Sequence, residues 1–483
     1  MILDQDACFR ALQTRDGRFD GRIFVAVRTT GIYCRPVCPA RTPLRRNVTF
    51  YESAAAAQEN GYRPCLRCRP ETAPDLGAWN GTSNTVNRAM RLIDQGVLDQ
   101  GDVENLAERL GVGERHLRRL FKQHLGASPV AVAQTRRVLL AKQLIHETLL
   151  PMSEIALASG FGSIRRFNET FQQLYGKPPS ALRRLNGPEH SVGSGEIVLK
   201  LRYKPPLDWP AMLAFFRQRL IVPIEKVEGD SYMRTISLQG KTGTIKLSLG
   251  SSSEINAAID FPDLSLLPDI IFRIRRVLDL GLAPNAINKD LGSDPILKPL
   301  VDARPGLRSP GAWDVFEMAI RAVLGQQISV AGAATIGARL CVRLGDVQER
   351  FEEQGLTHTF PSAEAIAGAD LTGIGMPGAR VRTLQGLARA SLADPALLSP
   401  SQSLEEAVET LCALPGIGPW SAHYIALRAL REPDAFPSSD IGLINAWARL
   451  TGNRPTASEL EAQAERWRPW RGYAAQHLWA SLG

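Results

Sequence analysis

No run of apolar residues in the chain approaches the roughly 20 needed to cross a bilayer as a helix, which argues against a helical membrane protein. The opening residues, MILDQDACFR, hold no basic stretch followed by an apolar core, so no secretory leader is expected and a cytoplasmic location is the default. Low-complexity tracts and solenoid periods are also missing. Cysteine is scarce, seven in 483 residues, yet four of the seven fall in two close pairs. With 44% hydrophobic and 22% charged residues the composition is that of a globular protein, and a prior of about 150 residues per domain predicts roughly three domains.

The positive charge is unevenly placed. The chain carries 57 Lys and Arg against 49 Asp and Glu. Residues 1–75 hold 12 against 8 and residues 83–186 hold 15 against 9, leaving 30 against 32 for the rest. The whole excess lies in the first 186 residues, as expected if that part holds a polyanion, although an ordinary solvated basic surface fits the charge count as well. Two stretches rich in Gly, Pro and small polar residues, 71–83 and 186–196, read as linkers.

Between them the pattern is helical and occurs twice. Val103, Leu106, Ala107 and Leu110 share one face, Gly111 breaks the chain, and Leu117, Leu120 and Phe121 resume the face. The arrangement returns with Ile155 to Ala158, a turn at Ser159-Gly160-Phe161-Gly162, and a helix with Phe167, Phe171 and Leu174 inside. The outer faces carry Arg115, His116, Arg118 and Arg119, then Ser163, Arg165, Arg166 and Asn168, groups that reach phosphates and guanine edges when such helices enter major grooves. A plain helical bundle with solvated arginines is the alternative. From Glu196 to Glu254, alternating runs such as Thr244-Ile-Lys-Leu-Ser-Leu249 predict a small sheet, and beyond about residue 263 the chain reads as helical to its end.

Cys34-Arg-Pro-Val-Cys38 and Cys65-Leu-Arg-Cys68 have the spacing of a tetrahedral zinc site, whether structural or reactive. Four thiolates on one zinc leave a formal double negative charge and keep the sulfurs electron-rich. Eight arginines (28, 35, 41, 45, 46, 63, 67 and 69) accompany Glu52 and Glu59, so the site is expected against a phosphate backbone. Phe24 to Arg41, Asn47 to Tyr51 and Gly61 to Pro70 closely resemble the N-terminal domain of the Ada family, over nearly all of residues 1–75. The resemblance implies that Cys34 takes a methyl group irreversibly from a methylated DNA phosphate while Cys38, Cys65 and Cys68 complete the zinc set. The thioether lowers the site's charge by one, so the methylated form should bind DNA better. Residues 83–186, above all Gly160 to Phe171 with Gly176-Lys-Pro-Pro-Ser180, resemble the AraC type of paired helix-turn-helix domain. Together these imply a methylation-switched activator with promoter DNA and RNA polymerase as partners. The Pro-Cys-His sequence of Ada's methylguanine acceptor is missing around Cys341 and Cys412, which with Cys8 read as small hydrophobes.

Near the end, Leu414-Pro-Gly-Ile-Gly-Pro-Trp420 is a tight turn between two helices, where Gly416, Ile417 and Gly418 could offer backbone N–H groups to a phosphate. An aspartate follows in Phe436-Pro-Ser-Ser-Asp440, then Trp467-Arg-Pro-Trp470. With Tyr203 to Trp209, Ala303 to Arg308 and Val323 to Val330, this set resembles the AlkA branch of the helix-hairpin-helix glycosylases across nearly all of residues 197–483. The resemblance implies release of alkylated purines such as 3-methyladenine from double-stranded DNA. Asp440 would stabilise the sugar cation, Trp420, Tyr424 and Trp470 would stack on the cationic base, and a monovalent cation would sit at the hairpin. In isolation Asp440 would read as a helix N-cap and each aromatic as core. Lyase relatives have a lysine where Trp420 stands, so a monofunctional hydrolase is expected. Gln327 takes the place of the leucine wedge, and Gly442 replaces a larger residue beside Asp440. The expected fold is a multidomain α+β chain: a zinc domain (1–75), an all-α paired helix-turn-helix domain (83–186), a small β-rich domain (197–262) and a helical glycosylase domain (263–483). The rival reading is a regulator whose glycosylase-like half only clamps DNA.

Overall fold

The computed structural model describes residues 5–73, 84–183, 196–251, 253–394, 397–398 and 403–482. The chain forms two compact units, one of residues 1–203 with 254–272 and one of residues 204–253 with 273–483. The class is mixed α+β, and no described helix is long and apolar enough to cross a membrane.

In the first unit, β1 (Phe24–Val27) lies between β2 (Ile32–Cys34) and β3 (Val48–Tyr51), both antiparallel to it, while β4 (Arg63–Pro64) runs parallel to β2. The register sets Val25 opposite Cys34 and Tyr33 opposite Pro64, so the first cysteine ends one strand and Cys65 directly follows another. The helix Ala54–Glu59 starts at Ser53, whose hydroxyl accepts from the Ala56 N–H at 3.0 Å.

The doubled helical pattern forms as the spacing requires. Val103–Arg109 and Glu114–Leu125 make the first pair, Met152–Ala158 and Ile164–Tyr175 the second, and the long helix Pro129–Glu147 joins them. Phe121, Phe167 and Phe171 are fully buried. Glu71, Thr72 and Ala73, expected to open a linker, are instead buried at the end of the zinc segment. The reason is a charge pair: Lys142 of the long helix, itself inaccessible, donates to Glu71 at 2.6 Å and to the Cys65 carbonyl at 2.9 Å. Arg69 bridges Glu71 and Glu147 at 3.1 and 3.0 Å. The rest of that expected linker, and residues 186–195 of the second, lie outside the described residues. Also in this unit, β5 (Ile197–Arg202) pairs antiparallel with a strand at Glu254–Asp260.

The second unit contains an antiparallel meander of three strands, Glu225–Glu228, Ser231–Leu238 and Lys241–Leu249, and is otherwise helical. Two of the sequence motifs meet through one side chain: the buried Arg308 donates to the carbonyls of Pro206, Asp279 and Leu282. Helix Leu404–Cys412, the turn through Gly418, and helix Pro419–Ile425 form the expected hairpin, which runs on into a π-helical turn at Ala426–Leu430.

Candidate metal centre, DNA-binding faces and carboxylate site

The sulfurs of Cys34, Cys38, Cys65 and Cys68 all lie within 4.8 Å of one another. Four sulfurs at about 2.3 Å from a central zinc would be about 3.8 Å apart, so the cluster has the dimensions of a tetrahedral site. The donor chemistry agrees. Hydrogen bonding with Cys38, then with Cys65 and Cys68, together with burial, pushes the Cys34 thiol up, because thiolates this close cannot coexist without a cation between them. Backbone N–H groups of Arg35 and Arg67 point at the sulfurs of Cys68 and Cys65, at 3.4 and 3.3 Å. Cys38, Cys65 and Cys68 are 5%, 7% and 8% exposed, whereas Cys34, taken as a whole residue, is half-buried.

Of the eight arginines around the cluster two are engaged, four are exposed, and Arg45 and Arg63 are half-buried. Arg35 is buried, paired with Asp20, and donates to the Thr72 hydroxyl at 2.7 Å, and Arg69 is held by its two glutamates. Arg28, Arg41, Arg46 and Arg67 are exposed. A smaller cationic face is therefore available to a phosphate backbone than the eight arginines suggested. Cys8 and Cys341 are buried and Cys412 is half-buried, and burial pushes the Cys341 thiol up.

Arg115, His116, Arg118 and Arg119 are all exposed, as are Ser163, Arg165, Arg166 and Asn168. Each set lies on the outer face of the second helix of its pair. Ser163 has a structural duty as well, since its hydroxyl caps Ile164–Tyr175 by accepting from the Arg166 N–H at 3.2 Å. Arg165 is bridged to Glu169 at 2.7 Å, and Arg118 to Glu114.

In the second unit Asp440 is indeed the N-cap of helix Ile441–Thr451, with Oδ1 accepting from the Leu443 N–H at 3.0 Å. It does more than cap. The Trp420 indole N–H donates to Oδ2 at 2.8 Å, and the Trp479 indole N–H donates to Oδ1 at 2.9 Å. No ion pair to Asp440 occurs among the described residues, so three neutral donors hold a carboxylate whose charge is not cancelled. Trp420 and Tyr424 stack in parallel at 5.3 Å, too close for a base between them. Trp470 stands apart, donating to Asp290 at 3.0 Å and meeting the ring of Tyr473. Burial alone would raise the Tyr424 hydroxyl's pKa, but the guanidiniums of Arg428 and Arg219 outweigh it and lower the value. Burial pulls Arg428 down to about 10, which leaves it charged at neutral pH.

The hairpin narrows the sequence expectation. The Ile417 N–H is spent on the Leu414 carbonyl at 3.1 Å, leaving Gly416 and Gly418 as its exposed positions. Gly416 has a φ of +84°, and a Cβ there would come within 2.0 Å of the Thr383 hydroxyl, so only glycine fits. Gln327 is exposed in the left-handed conformation, φ 56°, while Gln326 ties the same loop to the Gly416 carbonyl and the Ser421 hydroxyl at 3.0 and 2.9 Å. Sequence reasoning missed Trp479, Arg428, Arg219 and Lys142. Only the glycine at 442 hinted that something large approaches Asp440.

Four family descriptions match in succession: the metal-binding domain of Ada at residues 7–71, a helix-turn-helix domain at 106–185, the AlkA N-terminal domain at 198–314, and the HhH-GPD superfamily of base excision DNA repair proteins at 320–471. The chain is 35% identical to DNA-3-methyladenine glycosylase 2 of Escherichia coli over 59% of its length and 97% of that protein. A 3-methyladenine DNA glycosylase from Archaeoglobus fulgidus shares the fold, with a TM-score of 0.52 at 24% identity, covering 58% of this chain and 96% of that one. A probable bifunctional transcriptional activator/DNA repair enzyme AlkA of Mycobacterium tuberculosis is 42% identical over 99% of this chain and 97% of its own length. With an Ada-type metal domain, a paired helix-turn-helix and a glycosylase domain in that order, this chain belongs to the family of bifunctional transcriptional activator/DNA repair enzymes AlkA.

Proposed function

We propose that the chain repairs alkylated DNA in two chemically separate ways and uses the first as a transcriptional signal. Cys34 accepts the methyl of a DNA methylphosphotriester: a sulfur–carbon bond forms, the methyl carbon–oxygen bond breaks, and a phosphodiester anion leaves. Bound to the four sulfurs, zinc supplies the charge that keeps them thiolate at neutral pH. Cys34 is the reactive member by its place in the Tyr33-Cys34-Arg35-Pro36 sequence and as the least buried residue of the four, and Arg28, Arg41, Arg46 and Arg67 offer phosphate contacts. The product thioether is neutral, so repulsion from DNA weakens and the exposed faces bearing Arg115 and Arg166 hold promoter DNA more tightly. Residues 1–75, 83–186, 197–262 and 263–483 are the corresponding functional segments.

The second half hydrolyses the N-glycosidic bond of an extruded alkylated purine. The base leaves with the bonding electrons, a water adds at the anomeric carbon, and its proton passes to solvent. The observation that carries this reading is an uncompensated carboxylate hydrogen-bonded to the indole N–H of a stacked tryptophan. Asp440 keeps its charge for the developing sugar cation, and Trp420 offers its outer face to an electron-poor ring. With all its near donors neutral and no lysine at position 420, Asp440 acts by electrostatics in a monofunctional hydrolase.

One experiment separates the two chemistries. Asp440→Asn keeps the cap but removes the charge, and should lower release of methylated adenine by roughly 100-fold or more while methyl transfer to Cys34 proceeds normally. Near wild-type excision would rule out Asp440 as the carboxylate, and mass spectrometry finding the methyl on Cys38, Cys65 or Cys68 would rule out Cys34.

A further inference from the structure

A glycine in the first turn of a helix is locally unfavourable, since alanine is preferred there. Gly442 occupies such a position in Ile441–Thr451. A Cβ at 442 would lie 2.9 Å from Oδ1 of Asp440, 3.2 Å from Cδ1 of Trp479 and 3.3 Å from its Nε1. Those distances are shorter than ordinary carbon contacts, so any side chain at 442 would occupy the gap across which the Trp479 N–H reaches the carboxylate.

Trp479 is itself held from two sides. The edge of its ring meets Tyr424 at 6.3 Å and 74°, and the guanidinium of Arg428 lies 5.2 Å from its centroid. Arg428 is anchored in turn by Gln476 at 2.8 Å and the Pro310 carbonyl at 3.1 Å. A fixed indole therefore points one neutral donor at one carboxylate oxygen.

We infer that Trp479, given room by Gly442, is the positioning residue for Asp440 in the glycosylase reaction. This rests on the reading of Asp440 as the charge-stabilising carboxylate. The two indoles then have different duties. Trp420 also forms the stacking wall and must answer to the base. Trp479 sits on the other oxygen and keeps the carboxylate aimed while Trp420 is engaged. Because the donor is neutral, the carboxylate is oriented without losing the charge that faces the sugar cation, which a lysine or arginine partner would cancel.

The test uses the full-length protein and two abasic-site analogues in duplex DNA: a pyrrolidine, cationic near the anomeric position, and the neutral tetrahydrofuran. Trp479→Phe keeps an aromatic ring and removes the N–H. Loss of a hydrogen bond to a charged group corresponds to about a 10- to 100-fold effect. We expect that fall in single-turnover excision, the same fall in preference for the pyrrolidine over the tetrahydrofuran, and unchanged tetrahydrofuran affinity. Gly442→Ala, which raises local helix propensity, should reproduce the loss by pushing the Asp440 carboxylate and the Trp479 indole apart. The double variant should be no worse than the more damaged single one, since both remove the same bond. Wild-type excision and wild-type analogue preference in Trp479→Phe would overturn the proposal, as would equal loss of affinity for both analogues, the mark of a merely structural wall. The analogue preference requires no turnover, so it judges Trp479 even if Asp440→Asn shows the catalytic carboxylate to be another residue.

Discussion

The two units of this chain each present an anionic centre, and they stabilise it in opposite ways. At the cysteine cluster four sulfurs crowd within 4.8 Å, a density of charge that only a divalent cation can hold together. At Asp440 a single carboxylate is held by two indole N–H groups and one backbone N–H, with no cation among them. The first arrangement suits a nucleophile that must be a thiolate at neutral pH and is used once. The second suits a group that must keep its full charge for a transient cation and be restored at every turnover. Metal binding makes the sulfur centre part of the folding of its unit, whereas the carboxylate centre depends on the placement of two tryptophan side chains.

The largest expected effect breaks that comparison at the metal. Structural zinc sites contribute about 10–16 kcal/mol of binding free energy, which is folding free energy for the segment that forms them. Chelation should abolish methyl transfer and unfold residues 24–73, seen as altered circular dichroism and rapid proteolysis, while excision by the second unit persists. A purified protein with no zinc that still accepted methyl groups would end the metal-centred account.

A smaller effect sharpens it. Lys142 and Glu71 are buried together, and removing one partner of such a pair typically costs about 3–5 kcal/mol. Arg69 still pairs with Glu71, which places Lys142→Met near the lower end, about 3 kcal/mol. Chemical denaturation should show this loss in the first unit only. Equal destabilisation of both units would mean that the two centres are not energetically separate.

Particular residues show how much of this was legible beforehand. The four cysteines announced their site because metal geometry constrains ligand spacing along the chain, whereas Asp440 was singled out only by the resemblance of its surrounding motif to the glycosylases and by itself read as the helix N-cap that it also is. Both helix-turn-helix pairs were readable from the 3.6-residue period of residues such as Leu117, Phe121, Phe167 and Phe171. Trp479 was not readable. It lies 39 residues beyond Asp440 on Arg471–Ala480, a helix whose apolar residues suggest only core. Lys142 was hidden too, because a lysine within an apolar helix normally extends its amine to water, and nothing nearby shows that Glu71, 71 residues earlier, will meet it. Contacts of high sequence separation leave no local period. The linker was started too early, at Glu71, for the same reason, although the expected domain limit at residue 75 takes in the buried Glu71, Thr72 and Ala73.

The smallest expected effect asks whether the sulfur centre acts as a charge or as a shape. Methylation of Cys34 would make the site one unit less negative, and Arg115→Ala makes an exposed helix face one unit less positive. Each phosphate contact contributes about 0.9 to the slope of log affinity against log salt, so Arg115→Ala should flatten that slope by about this amount. Methylation should steepen it, because salt screens the repulsion felt by the unmethylated protein within a Debye length of about 8 Å at physiological ionic strength and thereby hides part of its true salt dependence. The helix Glu114–Leu125 meets the zinc segment through Lys122 and Glu59 at 2.9 Å and through the Leu125 carbonyl and Ser53 at 2.7 Å, contacts that involve neither Arg115 nor a cysteine, so the two changes should add in the methylated Arg115→Ala protein. Fluorescence anisotropy on promoter DNA at several salt concentrations measures all four slopes. Tighter binding on methylation with an unchanged slope would show that the switch runs through a structural link, for which the Cys65 carbonyl and the buried Lys142 are the obvious route, and not through charge.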